Sequence, residues 1–432
     1  MDALVPIDFP GINVKILFLT DTFPPERTAP AARVYEHVRY WVRWGHQVTI
    51  LTCAPNFPEG KVFPGYRNEW RQAEMMDGIR VIRVKTFIAA NEGFILRTLA
   101  YLSYMISAFL FGLFQKKPDV IIATSPQLFS AVGGWLLAAV RRKPFIFELR
   151  DIWPESIVAV GALHRGLLFN CLEWLELFLY RRSDAIVSVT QSLKKNLVDR
   201  GISAEKISVI LNGVENNIYN PRPKDPELEK ELRLSGKFVV GFIGTHGMAH
   251  GLDSVLNTAA LCREKKNIHF LFVGTGAFRK KLITQAKNLA LSNVTFVGSK
   301  PKGQMPFYWS LCDVALVHLM NKPLFKTAIP SKIFEAMAMG LPILIAVPEG
   351  EATRIIQDTG SGRVVLPENP EGLMEVIVQM YESPEQLKIM AQKSHEASFR
   401  FSREVQARNM INIIQNVGDI SFISQARKQM TF

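Results

Sequence analysis

The sequence predicts an α/β protein with two doubly wound parallel-sheet domains joined by a linker. Three observations predict it. A chain of 432 residues is too long for one ordinary core. Apolar runs of strand length alternate with segments of helical spacing, the pattern of a parallel sheet flanked by helices. That alternation stops at a polar, proline-rich stretch and then restarts.

The first half begins with a strand at Val14–Leu19 and a proline-rich loop, Thr20–Pro30. A helix follows at Ala31–Trp44, with Val34, Val38 and Trp41 on one face and Gly45 stopping it. Val48–Thr52 is the next strand. Further strands are expected at Gly78–Val84, Val120–Ala123, Phe145–Glu148, Ala185–Thr190 and Ser208–Leu211. Residues 215–236 carry Asn216, Asn217, Asn220, Pro221, Pro223 and Pro226, which is linker composition. The second half restarts with a strand at Phe238–Ile243, which runs into Gly244-Thr-His-Gly-Met-Ala-His-Gly251. Ser254–Cys262 is a helix. Ile268–Val273, Val294–Val297, Val314–His318 and Ile343–Val347 are strands. The domains expected are 1–214 and 237–400, with a last helix from 401 within 401–432.

The composition of 48% hydrophobic and 21% charged residues is that of a globular protein. Cys53, Cys171, Cys262 and Cys312 lie far apart, so a disulfide scaffold or a cysteine-held metal is not expected, and a reducing cytoplasm is the simple reading. Residues 1–14 lack a basic region followed by a long apolar run, which predicts no signal peptide. The net charge of +12 divides into +5 for residues 1–216 (25 Lys/Arg, 20 Asp/Glu) and +7 for the rest (26 and 19). Spread charge of this kind suits phosphate ligands or an anionic membrane. No nucleic-acid-binding module is recognisable, so no nucleic-acid partner is expected.

One apolar segment stands out. Thr98–Phe114 has no charge over 17 residues, with Arg97 before it and Lys116 and Lys117 after it. A spanning helix needs about 20 residues, and a sheet strand must follow at once. The expectation is therefore an interfacial helix with Tyr101 and Tyr104 at headgroup level, or else a core helix. The basic groups Arg141-Arg142-Lys143, Arg165 and Arg181-Arg182, and the apolar helix Leu167–Tyr180, are candidates for the same surface.

The chemistry concentrates in short stretches. In Ile329–Ala346, Pro330 and Ser331 suit a first helical turn. Ile333, Phe334, Met337 and Ala338 form an apolar face; Gly340 and Pro342 end the helix. Lys332 and Glu335 sit near the helix start. There Lys332 and free N–H groups suit phosphate, and Glu335 suits ribose hydroxyls. An ordinary ion pair one turn apart fits these residues as well. Phe145-Ile-Phe-Glu-Leu-Arg-Asp-Ile-Trp-Pro-Glu-Ser156 places Glu148, Arg150, Asp151 and Glu155 just after a buried strand. That is costly unless they are paired or functional.

These stretches, with the alternation around them, resemble the retaining family 4 glycosyltransferases of the GT-B fold, over roughly Lys15 to Met410. The string Asp151-Ile-Trp-Pro-Glu-Ser156 and Phe325-Lys326-Thr327 resemble the subset that acts on lipid-linked sugars in bacterial polysaccharide and O-antigen assembly. The resemblance implies two Rossmann-like domains facing a cleft, with the last helix crossing back to the first domain. It implies transfer of a hexose or N-acetylamino sugar from a nucleoside-diphosphate donor, UDP favoured, to a polyprenyl-diphosphate-linked sugar or similar glycan. The place would be the cytoplasmic face of the membrane. Donor contacts would come from Gly244, Thr245, His250, Gly274, Ser299, Lys300, Lys332, Glu335, Gly350, Glu351 and Ala352. Asp151, with Glu155 second, would orient or deprotonate the acceptor hydroxyl. Pro25, Glu26, Arg27 and Arg150 would lie on the acceptor side. No cofactor is implied and no Asp-x-Asp metal motif appears, so Lys332 and helix dipoles are expected to meet the phosphate charge. The chain departs from the family at two points. Thr327 stands where a first Glu is common, eight residues before Glu335. His246 and His250 stand in a loop that often carries Arg and Lys. A nucleotide-sugar epimerase on the same fold, or a catalytically silent binding subunit, are the alternatives.

Overall fold

The computed structural model describes residues 13–429, apart from 27, 58, 90–93, 126 and 160–163. The chain divides into two units. One runs to Leu211 and resumes at Gln406; the other is Asn212–Val405.

The first unit holds β1 (Lys15–Leu19), β2 (Gln47–Cys53), β3 (Arg71–Met76), β4 (Ile79–Val84), β5 (Val120–Thr124), β6 (Phe145–Leu149), β7 (Ala185–Ser188) and β8 (Ile207–Val209). They form one sheet in the order β3-β4-β2-β1-β5-β6-β7-β8. Every neighbouring pair is parallel except β3 with β4. Strands β5 and β6 are buried at every position, as apolar runs covered by helices on both faces must be. Helix Ala29–Arg43 starts with Thr28, whose hydroxyl accepts from the Ala31 N–H at 3.2 Å, a side-chain cap for a free donor. Its Trp41 is fully buried and donates to the Ala407 carbonyl at 2.9 Å. Helix Arg403–Gln429 thus joins the first core, through Ala407, Met410, Ile411 and Ile414.

The second unit holds β9 (Phe238–Ile243), β10 (Ile268–Val273), β11 (Val294–Val297), β12 (Val314–His318), β13 (Ile343–Ala346) and β14 (Gly362–Val365). Their order is β11-β10-β9-β12-β13-β14, all parallel. The stretch 215–236, read above as linker, packs Tyr219 and Leu234 into this unit's core and forms a short helix, Pro226–Glu231.

Helix Phe94–Leu113 is the one described helix long and apolar enough to cross a membrane, and β5 follows it in the sheet. One face is in the core. Tyr104 is buried and its hydroxyl donates to the Leu51 carbonyl at 2.7 Å. This corrects the expectation of Tyr104 at headgroup level: the phenol found a buried acceptor, which a Tyr in a core needs. Leu96, Leu99, Ile106 and Leu110 are each about half exposed on the other face. Arg141, expected among the lipid-facing cations, instead donates to the carbonyls of Gly112, Leu113 and Gln115 and closes the helix end.

Candidate active site

In the second unit, two glycine turns interlock at the C-terminal ends of β9 and β10, where open parallel sheets bind ligands. Gly244, Gly274 and Gly276 have φ of +146°, +145° and +156°, a region L side chains rarely enter. A Cβ on Gly274 would stand 2.0 Å from the Gly244 carbonyl oxygen, and one on Gly276 2.5 Å from that of His246. The His246 N–H donates to the Thr275 carbonyl at 2.9 Å, and the Phe278 N–H to that of His246 at 3.0 Å. These turns bring backbone close to backbone, the arrangement that lets N–H groups approach an anion.

Beneath them, Lys332 is buried. Its amine has no hydrogen-bond partner among the described residues and lies 3.5 Å from the centroid of the Phe242 ring. Burial brings it down from the usual 10.5 to about 7, with the Glu335 carboxylate resisting. Glu335, half-buried, accepts from the Trp309 indole N–H at 3.2 Å. Both sit on helix Lys332–Ala338, only seven residues long, so the dipole expected there is small. The predicted first-turn residue Ser331 precedes this helix as an N-cap without a side-chain cap bond.

The two histidines differ. His246 is fully buried among Phe242, Phe272 and Phe296, and its ring nitrogens have no hydrogen-bond partner among the described residues. Burial, then Arg279 and Lys332, push it down to about 4. His250 faces the His318 carbonyl at 3.2 Å, and His318 that of His250 at 2.7 Å. Burial and Lys332 bring His250 to about 4. Neither ring replaces the Arg and Lys of typical relatives as a cation at neutral pH.

Thr245 and Ser299 are exposed beside these turns, and the Lys300 amine lies 5.5 Å from the Tyr308 ring centroid. Helix Glu351–Thr359 begins at Gly350, where a Cβ would stand 2.0 Å from the Lys326 carbonyl oxygen. Ala352 buries its methyl in the core, so only its backbone is available to a ligand. Thr327 is exposed and its hydroxyl donates to the Leu324 carbonyl at 3.2 Å.

In the first unit the polar loops also gather at the C-terminal strand ends. Glu26, expected on the acceptor side, is instead a buried clasp: it accepts from the backbone N–H groups of Phe23, Asn56 and Phe57. Pro25 is in the same loop, held by Arg83, which donates to the Pro24 and Cys53 carbonyls. Arg27 lies outside the described residues. Arg150 pairs with Glu148 at 3.2 Å, and Glu148 with Arg33 at 2.9 Å. Burial alone would raise the Glu148 carboxyl, but Arg150 and Arg33 outweigh it and bring it down to about 2. Arg150 therefore has a structural partner. Asp151 and Glu155 stay half-buried, Glu155 at the start of a short helix, Glu155–Ala159.

Two groups were missed in the sequence. Asp21, two residues past the end of β1, accepts from the Gln127 side-chain amide; burial and the Glu26 charge push it up to about 7. Glu176 accepts from the Trp153 N–H at 3.0 Å, the Tyr180 hydroxyl at 2.6 Å and Arg200 at 2.9 Å, fastening the Asp151 loop to helix Leu167–Arg182. Asp directly after the first strand was the available signal for Asp21. Nothing local marks Glu176.

Comparison with known proteins agrees with this geometry. Residues 28–213 match the family described as glycosyl transferase 4-like domain, and residues 224–397 match glycosyl transferases group 1. The probable glycosyltransferase WbjE of Pseudomonas aeruginosa is 27% identical over 289 residues, 65% of this chain and 72% of that protein. The putative colanic acid biosynthesis glycosyl transferase WcaI of Escherichia coli is 25% identical over 378 residues, 85% and 92% of the two chains. Among solved structures, Anabaena HepE in complex with UDP-glucose superposes with a TM-score of 0.70 at 20% identity, covering 94% of this chain and all of that one. Sucrose-phosphate synthase of Thermosynechococcus elongatus gives 0.73 at 16%, covering 94% and 99%. The two family matches take up nearly the whole chain, one in each unit, and the chain belongs to the family 4 glycosyltransferases of the GT-B fold.

Proposed function

We propose that this enzyme transfers a sugar, with retention, from a nucleoside-diphosphate donor to a lipid-linked glycan during bacterial polysaccharide assembly. The donor would bind on the second unit. The observation that carries this is the buried Lys332 amine, without a hydrogen-bond partner among the described residues, beneath the interlocked Gly244 and Gly274 turns. A lone buried ammonium is costly until an anion meets it. Glu335, one turn on, would take the ribose hydroxyls. Backbone around Ser299 and Lys300 would face the base. Gly350 and the N–H groups of Glu351 and Ala352 would face the sugar or its phosphates. UDP is the favoured nucleotide because the similar HepE structures hold UDP or UDP-glucose. A polysaccharide role is favoured by the name of the E. coli relative.

Lys332 supplies the positive charge that a developing diphosphate leaving group needs, so no metal is required in this reading. Asp151 would orient or deprotonate the acceptor hydroxyl, with Glu155 as the second candidate. The acceptor's lipid would lie at the cytoplasmic membrane surface, met by the exposed Leu96, Leu99, Ile106, Leu110 and Phe114, with Trp174 and Leu168 on the neighbouring apolar helix.

The first test is a thermal-shift screen of nucleotide sugars followed by transfer to a lipid-linked acceptor, with EDTA present. Glu335→Ala is expected to lower kcat/KM by about 100-fold or more. Full activity in Glu335→Ala would sink the donor-site assignment, and loss of activity in EDTA the metal-free reading. Ile106→Ser/Leu110→Ser/Phe114→Ser is expected to stop flotation with anionic vesicles; unchanged flotation would remove the membrane role of this face.

A further inference from the structure

The Lys332 amine is held where it is poorly tolerated as a cation. It has no hydrogen-bond partner among the described residues, and the face it meets is the Phe242 ring, 3.5 Å away. A ring face returns only part of the hydration that burial removes. The groups around it do not restore the balance. His246 and His250, from the turn after β9, and His318, from β12, are each pushed toward the neutral form by burial. Arg279, near His246, adds a like charge, while Asp253 and Glu368 act at His318. Among the described residues, the carboxylate that acts on Lys332 is Glu335 on its own helix, which also accepts from Trp309. The turn over the amine is Gly244, where a Cβ would stand 2.9 Å from the amine nitrogen.

Resting on the donor-site reading above, we infer that binding of a nucleoside diphosphate at this turn charges Lys332 by drawing one proton from solvent, so that donor affinity is coupled to pH. In the free protein the buried amine is deprotonated over much of the neutral and alkaline range, because its proton is lost at about pH 7. A diphosphate beside it favours the charged form and restores the proton. The sign follows. Above the pH at which the free amine loses its proton, each further pH unit costs the complex about tenfold in affinity, until the bound form too begins to titrate. His246 and His250 are neutral in this window and burial pushes His318 the same way, so Lys332 is the proton site assigned here.

Isothermal titration of UDP between about pH 7 and about pH 8.5, in buffers of different ionisation enthalpy, reads this directly. The wild type is expected to take up close to one proton at the upper pH and to weaken by roughly tenfold across the range. Lys332→Arg, whose guanidinium stays charged, is expected to bind UDP without proton uptake and with an affinity independent of pH. His250→Gln is expected to keep the uptake. Wild-type UDP binding with no proton uptake overturns the inference while leaving the donor site standing. Uptake that persists in Lys332→Arg, or disappears in His250→Gln, overturns it as well. No binding of UDP or any other nucleoside diphosphate at any pH overturns the donor-site reading and this inference with it.

Discussion

The Glu148 cluster of the first unit and the Lys332 cluster of the second treat buried charge differently. In the Glu148 cluster each charged side chain is paired: Arg33 holds Glu148 and the carbonyls of Ile210 and Leu211, and Arg150 holds the other Glu148 oxygen, leaving its Nε without a hydrogen bond among the described residues. Glu26 and Glu176 are likewise surrounded by donors. In the second, the Lys332 amine and both ring nitrogens of His246 are buried without a hydrogen bond among the described residues. Buried polar groups are nearly always satisfied when their purpose is structural. The paired cluster is framework, and the cluster around Lys332 is the one that the proposed donor site uses.

Removing a member from each cluster should break this contrast in opposite directions. Glu148→Ala leaves Arg33 buried without its carboxylate and is expected to cost about 3–5 kcal/mol in urea unfolding. A loss below about 1 kcal/mol would show that the cluster is not framework. Gly274→Ala is expected to cost about 1–3 kcal/mol, because its Cβ meets the Gly244 carbonyl and its φ of +145° disfavours a side chain. It should weaken UDP binding as well, by displacing the turn over Lys332. Lys332→Met should do the reverse for stability. It exchanges an uncompensated amine for an apolar chain of similar length, so the free protein is expected to melt about 2–6 °C higher while UDP binding is lost. The sign also has a pH side. A buried lysine titrating at about 7 binds fewer protons folded than unfolded, so wild-type stability should rise with pH from about 7 toward 10.5. The Lys332→Met protein should lack that rise.

Much of this was legible because the signal is local. Strands β1, β2, β5, β6 and β9 to β13 are short apolar runs, and their covered faces make them so. Strand β3, with the sequence RQAEMM, was not legible: it lies antiparallel at the sheet edge with alternating exposure, so nothing apolar marks it. Strand β14 carries only two apolar residues, Val364 and Val365. The stretch 215–236 reads as linker because its asparagines and prolines mask the scattered side chains, Ile218, Tyr219, Leu228, Leu232 and Leu234, that tie it to the core. The donor-side residues are near neighbours in sequence, so Lys332 and Glu335 stood out together. Asp21 and Glu176 did not, since Gln127 is 106 residues from one and Arg200 is 24 from the other. The pairing of Arg150 was hidden for the same reason: Glu148 is close to it, but Arg33, which fixes that carboxylate, is 115 residues from Glu148.

The bond from the Trp41 indole to the Ala407 carbonyl has a consequence for synthesis. The first unit's core is closed by a helix that leaves the ribosome after the whole second unit. At roughly 5–20 residues per second, the first sheet waits on the order of 10–40 s for its last helix. During that wait the apolar groove around Val34, Val38 and Trp41 stands open. A truncation before Ala407 would therefore harm the beginning of the chain, and a chaperone that shields nascent apolar surface has its clearest target near the N-terminus.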